Sequence, residues 1–165
     1  MNAIVVVDQN WAIGRGNDLL FSLPTDMKRF RSLTLGGTVL MGRKTLDSFP
    51  GGKPLPKRRN IVITRQPDFS REGVETVLTP QAALEAVKEL DPDTVWAIGG
   101  GSIYAALLKR CRRVYLTKVE TAAPNPDTFF PNLDQLPEWS VEHVGEPIEE
   151  NGLRYRFVEY IQSSL

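Results

Sequence analysis

One acidic residue stands out by its surroundings. In Leu23-Pro24-Thr25-Asp26-Met27-Lys28-Arg29-Phe30-Arg31-Ser32-Leu33, helical spacing puts Leu23, Met27, Phe30 and Leu33 on one face, with Lys28, Arg29 and Arg31 elsewhere. Asp26 falls on that apolar face, three residues after Leu23 and four before Phe30, and is its only charge. A lone buried carboxylate is costly unless something pairs with it. One reading is structural: an acid in the first turn complements the helix dipole and satisfies free N–H groups. The other is a carboxylate waiting for a cationic or amidine-like ligand, with a pKa open to tuning. Position alone leaves the two even.

Two further segments could take phosphate. Met41-Gly42-Arg43-Lys44-Thr45 follows an apolar run, and with Gly37 it nearly spells a phosphate-binding loop. The match fails because Arg43 stands where glycine must precede Lys, which also disfavours a kinase. What remains is a strand, a glycine, and two cations opening a helix, which suits phosphate as well as it suits a solvated basic turn. Trp96-Ala97-Ile98-Gly99-Gly100-Gly101-Ser102-Ile103-Tyr104 is a strand, three glycines and a helix. It is not the Rossmann fingerprint, whose third glycine would fall at Tyr104. Three consecutive glycines exceed what a bare strand–helix turn needs, and they let a pyrophosphate approach the backbone. Pro54-Leu55-Pro56-Lys57-Arg58-Arg59-Asn60 leads into a strand ending Thr64-Arg65-Gln66. Its arginines suit carboxylate or phosphate, though basic residues beside a strand are usually just solvated.

Elements must position these groups. Strands are expected at residues 3–7, 38–41, 60–64, 74–77, 95–98 and 114–119, several of them continuously apolar, as parallel strands buried on both faces require. Helices fall between: from Pro24 to about Thr34, a short one after Arg43, residues 81–90 behind Thr79-Pro80, and one capped by Ser102 running to about Leu108. Strands at 139–144 and 154–161 flank Asn151-Gly152, a hairpin dipeptide. The expected class is α/β in three layers. A predominantly parallel central sheet of about eight strands ends in an antiparallel C-terminal hairpin and is flanked by about four helices.

Bulk properties narrow the function. The 165 residues suit one domain, 1–165, with no repeat or linker. Twenty Lys+Arg balance twenty Asp+Glu, which argues against a general nucleic-acid binder. One cysteine, Cys111, allows no internal disulfide; among Lys109, Arg110, Arg112 and Arg113 it reads as an incidental thiol at a helix end rather than an activated one. The single histidine, His143, reads as a surface residue and cannot form a histidine cluster, so no metal site is expected. No apolar run reaches the roughly 20 residues of a membrane span. The start reads as a buried strand rather than a signal peptide, and a cytoplasmic enzyme is expected.

Taken in order, these landmarks resemble the dihydrofolate reductase family over essentially the whole chain. They are Ala12-Ile13-Gly14, Leu23-Pro24-x-Asp26, Met41-Gly42-Arg43-x-Thr45, Pro54-Leu55-Pro56, Ile98-Gly99-Gly100-Gly101 and Asp127-Thr128-x-x-Phe130-Pro131. The resemblance implies reduction of 7,8-dihydrofolate to 5,6,7,8-tetrahydrofolate by NADPH, sensitivity to antifolate inhibitors, and a monomer. It implies that Asp26 binds the pterin ring with Thr117 as its hydrogen-bonding supporter. Ile4, Val5 and Val6 would line the pterin site, and Phe30, Phe49 and Leu55 would pack on the pterin and aminobenzoyl rings. Arg58 would take the glutamate α-carboxylate. For the cofactor, Gly99, Gly100, Gly101 and Ser102 would approach the pyrophosphate, with Ile98 and Tyr104 near the nicotinamide and Val6, Ile13 and Ile103 also in the cofactor site. Gly42, Arg43, Lys44 and Thr45 would hold phosphates, and Thr64 with Arg65 would flank the adenosine 2′-phosphate. Residues 9–23 resemble the mobile active-site loop, with Gly14 and Gly16 permitting its changes.

The sequence departs from the family at three places. Leu20-Phe21 stands where many members carry Pro-Trp, so the indole donor that can order a water near the pterin is missing. Val6 stands where alanine is frequent, and Pro50-Gly51-Gly52-Lys53 lengthens the next loop. The nearest competing reading is a reductase of the same fold acting on a ribosylated aminopyrimidine; Asp26, the aromatic one turn later and Arg58 favour folate. A non-enzymatic nucleotide-binding module would need neither Asp26 on an apolar face nor Arg58.

Overall fold

The computed structural model describes residues 1–15 and 18–165. Chain order is β1 (Asn2–Val7), β2 (Ala12–Arg15), β3 (Asp18–Leu19), α1 (Pro24–Thr34), β4 (Thr38–Gly42), α2 (Arg43–Ser48), β5 (Arg59–Ile63), β6 (Val74–Val77), α3 (Pro80–Val87), β7 (Val95–Gly99), α4 (Gly101–Leu107), β8 (Arg113–Val119), β9 (Thr128–Phe129), β10 (Trp139–Val144), β11 (Ile148–Glu150) and β12 (Leu153–Gln162). The main sheet runs β10-β12-β8-β1-β7-β4-β5-β6, with β11 also pairing β12. From β8 to β6 every neighbour is parallel; β10, β11 and β12 add the antiparallel end.

Alternation along the strands builds the three layers. Ala3, Val5, Leu40, Ile61, Ile63, Val95 and Ala97 face a core shared with Ala83 and Val87 of α3 and Ile103 and Leu107 of α4. The intervening Val39, Met41, Val62 and Trp96 face Leu33 of α1, Leu46 of α2 and Phe49 on the other side. Both faces of the strands are thus covered, which is why their sequences read as continuous apolar runs.

Several local expectations change. Helix α3 ends at Val87, short of Leu90, because the chain must reach an extended Asp91 before Pro92. Ser102 does not cap α4: Gly100 is the capping residue and the helix begins at Gly101. The Asn151-Gly152 turn joins β11 to β12, while β10 pairs the far end of β12. β11 contributes one isoleucine and two glutamates, too little alternation to mark a strand. Met27 is 63% exposed despite its apolar spacing. A second small sheet, β3-β2-β9, ties the early loop to residues 128–129. The expected hinge glycine Gly16 lies outside the described residues.

The base of that loop is held by a fully buried carboxylate. Asp8 Oδ1 accepts the backbone N–H groups of Asn10 and Ala12 at 2.8 and 2.9 Å, and Oδ2 accepts that of Ala123 at 2.9 Å. Asp8→Ala strands these donors. Since each buried unsatisfied group costs about 1–3 kcal/mol, urea unfolding should show a loss of about 3 kcal/mol. A loss below about 1 kcal/mol would mean that water replaces the carboxylate without penalty.

Candidate active site

Asp26 and Thr117 meet across 91 residues of sequence. Pro24, already φ-restricted, opens α1 and places Asp26 in its first turn. Thr117 lies on β8, in register with Val6 of β1, and is 2% exposed. Its hydroxyl donates to Asp26 Oδ1 at 2.5 Å. Burial pushes the Asp26 carboxyl above its usual range, partly opposed by the Thr117 hydrogen bond and the Arg29 charge. Leu23 is the cap residue of α1 and no side-chain capping bond forms; Asp26 stands in the first turn, where its charge suits the helix dipole, but its hydroxyl partner is Thr117 of the sheet. Asp26 therefore spends its position on a partly buried surface rather than on helix N–H groups.

The β1 strand supplies the adjoining wall. Its side chains alternate, so Val5 faces the main core while Ile4 packs in the cluster of Phe49, Leu55 and Ile98, and Val6 in that of Leu23 and Phe21. Ile4 and Val6 thus flank the surface to which Asp26 belongs; Val5 reaches it only through its backbone. Tyr104, buried on α4, donates its hydroxyl to the Ile4 carbonyl at 2.6 Å, locking β1 to α4. Phe30 is half-buried one helical turn after Asp26. Arg58 is aimed by two hydrogen bonds, to the Pro56 carbonyl at 3.0 Å and the Thr34 hydroxyl at 3.1 Å. It borders a groove of about 620 Å³ that is also lined by Pro54, Leu55, Pro56 and Arg71. Burial, and then the nearby Arg31 charge, lower the Arg58 pKa, so an anion placed there would be welcome.

The second half of the site lies at the carboxyl ends of two neighbouring parallel strands, where ligands of α/β sheets bind. Met41 of β4 is in register with Gly99 of β7, which sets Gly42-Arg43-Lys44-Thr45 beside the glycine turn. Gly99 has φ +129°, and the Gly99–Gly100 peptide is cis. A Cβ at Gly99 would lie 3.4 Å from Thr45 Oγ1, one at Gly42 would lie 3.3 Å from Ile103 Cγ1, and one at Gly101 would strike Thr128 Cγ2 at 2.6 Å. Gly99 and Gly100 thus leave bare backbone beside the Thr45 hydroxyl, a cradle that suits a pyrophosphate, while Gly42 and Gly101 make room for Ile103 and Thr128.

Not every expected residue arrives there free. Arg43 is bonded to Gln66 and, at 3.4 Å, to Asp47, with Phe69 beneath its guanidinium at 5.6 Å. Lys44, Ser102 and Arg65 are exposed, while Thr64 accepts the Gln66 N–H at 3.2 Å. Ile13, on β2, packs against the main core. Phe21 is half-buried beside Val6 and Leu23. Cys111 is fully buried, its thiol pushed up to about 12 by burial, so it is inert at neutral pH. Among the described residues no group of three or more His, Cys, Asp or Glu converges, and no helix is long and apolar enough to cross a membrane. Sequence reasoning missed the Tyr104 hydroxyl and the Asp8 clamp, because neither long-range contact leaves a periodic trace.

Known proteins resemble this chain over nearly its whole length. A family model described as dihydrofolate reductase matches residues 1–162. The chain is 41% identical over 154 residues to the dihydrofolate reductase of Mycobacterium tuberculosis, covering 92% of this chain and 91% of that one. It is 36% identical over 159 residues to that of Neisseria meningitidis, covering 96% of each. Among solved structures it superposes on a dihydrofolate reductase from Enterococcus faecalis complexed with NADP(H) and RAB-propyl. The TM-score is 0.86 at 28% identity, over 98% of this chain and 95% of that one.

Proposed function

The chain belongs to the dihydrofolate reductase family, and from that premise we propose the roles its residues play. The protein reduces 7,8-dihydrofolate to 5,6,7,8-tetrahydrofolate with NADPH. The observation that carries the residue assignment is the partly buried Asp26 carboxylate, held by Thr117 and raised in pKa, on the sheet face that Ile4 and Val6 line.

A dihydropterin presents its 2-amino group and N3–H side by side, matching the two oxygens of Asp26. Thr117 donates to Oδ1 and so fixes the carboxylate plane. Ile4, Val5 and Val6 wall the pterin, Phe30, Phe49 and Leu55 pack on its rings and the aminobenzoyl group, and Arg58 takes the glutamate carboxylate. Gly99, Gly100, Gly101, Ser102 and Thr45 hold the pyrophosphate side of the cofactor, with Ile98, Ile103, Tyr104 and Ile13 behind the ring. Gly42, Arg43 and Lys44 carry phosphate charge, and Thr64 and Arg65 flank the 2′-phosphate. NADPH, when bound, supplies the hydride that reaches C6 of the substrate. Asp26 grips the edge of the pterin away from N5, so it acts by favouring the N5-protonated substrate electrostatically rather than by donating the proton itself; water delivers that proton. The chain works as a single-domain cytoplasmic monomer without nucleic-acid or membrane partners, and antifolates compete for the Asp26 site.

The test is loss of NADPH absorbance on adding dihydrofolate, with a ribosylated aminopyrimidine as control. Turnover of the pyrimidine and not of dihydrofolate would overturn the assignment. Cofactor choice gives a second test. An arginine–phosphate hydrogen bond contributes about 1.5–3 kcal/mol, so NADPH should exceed NADH at least about tenfold in kcat/KM. Because Arg43 is partly engaged by Asp47 and Gln66, most of that ratio should vanish in Arg65→Ala. A ratio unchanged in that variant would remove Arg65 from the 2′-phosphate site.

A further inference from the structure

Three hydrogen bonds converge on a carboxylate that the reaction described above does not use. Glu150 closes β11, just before the Asn151-Gly152 turn. Its Oε1 accepts the Thr25 backbone N–H at 3.1 Å and the Tyr155 hydroxyl at 2.9 Å. Its Oε2 accepts the Thr25 hydroxyl at 2.5 Å. Thr25 is the second residue of α1 and the neighbour of Asp26. Leu23, the cap residue of that helix, has no side-chain donor or acceptor to offer, so a strand 125 residues away does what a local cap would do. The hydrogen bonds from Thr25 and Tyr155 hold the Glu150 carboxyl below its usual range, so it is an anion at neutral pH.

We propose that Glu150 is a positioning residue of the site: through Thr25 and Tyr155 it clamps the first turn of α1, and so Asp26, against β11 and β12, and it adds a like charge to the surroundings of Asp26. The inference rests on Asp26 being the pterin-binding carboxylate. The groups facing Asp26 come from five elements. Thr117 of β8 donates to it, and Arg29, on the same helix, favours its ionisation while Glu150 of β11 opposes it. Tyr104 of α4 and Tyr155 of β12 are neutral hydroxyls within its field. Arg29 is itself anchored, 4.2 Å above the Phe157 ring and 5.6 Å from that of Tyr115, and it also faces Glu159. Lys28 adds a positive charge near Glu150 that favours its ionisation. Asp26 therefore feels both a cation, Arg29, and an anion, Glu150. Like-charge repulsion from Glu150 keeps it easier to protonate than burial and Arg29 alone would leave it.

A simple helix clamp and an electrostatic partner predict different behaviour for Glu150→Gln. The amide keeps the shape and an oxygen for the Thr25 N–H and the Tyr155 hydroxyl, but loses the charge. In the ligand-free protein, carbon NMR should then show the Asp26 carboxyl titrating at lower pH than in wild type, because a neighbouring like charge has been removed. The pH midpoint of hydride transfer should move the same way, because the bound pterin loses the same negative field. Glu150→Ala removes the clamp as well, and its kcat/KM for dihydrofolate should fall by a further factor of about ten. A folded Glu150→Gln whose Asp26 titration is unmoved would overturn the proposal and leave only the clamp. The titration is read without substrate, so it decides this inference even if the wild-type protein failed to turn over dihydrofolate, a failure that would instead reject the functional reading.

Discussion

Gly101→Ala is expected to weaken NADPH binding by about tenfold or more. The added Cβ would lie 2.6 Å from Thr128 Cγ2, closer than atoms tolerate, and would also stand where the glycine turn bares its backbone. Loss of one backbone contact to a charged pyrophosphate is worth about 1.5–3 kcal/mol, which sets the fold-change. Two causes are mixed in that result and can be separated. Thr128→Ser deletes Cγ2, so the double variant Gly101→Ala, Thr128→Ser relieves the clash with β9 but not the crowding of the ligand. If the glycine serves the cofactor, the double variant regains stability in urea and still binds NADPH weakly in fluorescence titration. Recovery of full affinity would show that the glycine is there for packing against β9.

Asp26→Asn should slow turnover at neutral pH by a factor of about 10² or more, the scale of lost acid–base assistance. Asparagine keeps an acceptor for Thr117 but turns a donor toward the pterin donors, and it removes the charge that favours N5 protonation. The same substitution should not weaken the fold. Burial raises the Asp26 pKa in the native state above its unfolded value, so the native protein binds the extra proton between those two values. Stability from this group is present below the unfolded pKa and is lost as pH rises through the native one. At pH 7 the ionised Asp26 is therefore a net cost. Asp26→Asn should unfold at the same or higher temperature than wild type there, with the gap closing as pH falls toward 4. A variant less stable at pH 7 would restore the reading of Asp26 as a dipole partner of α1, worth about 0.3–1 kcal/mol.

The sequence carried the site further than it carried the fold's edges. Asp26 was legible because one charge interrupts an apolar helical face, and the glycine turn because three glycines exceed a turn's needs. The inner strands were legible because burial on both faces leaves unbroken apolar runs, as at Val39, Leu40 and Met41. What remained hidden depends on contacts between distant segments. Thr117 is named by the family resemblance alone: nothing in its own segment marks it as the partner that β8 sets beside Val6 and against Asp26. Met27 follows the helical pattern yet is exposed. β11 is three residues with a single apolar side chain, and Glu150 reads as a solvated charge until its bonds to Thr25 and Tyr155 are seen. Arg43 shows what residue type leaves out: its place announces a phosphate ligand, while its bonds to Asp47 and Gln66 appear only in the folded chain.

The central claim, that Asp26 drives the reduction by favouring a protonated pterin, is tested most directly by single-turnover hydride transfer from NADPH to dihydrofolate. Wild type and Asp26→Asn are compared from about pH 5 to pH 8, where solution protonation of the substrate increasingly replaces the missing charge as pH falls. The account predicts a rate ratio of about 10² or more at pH 7 to 8 that narrows steadily toward pH 5. A ratio near one across the whole range would contradict it.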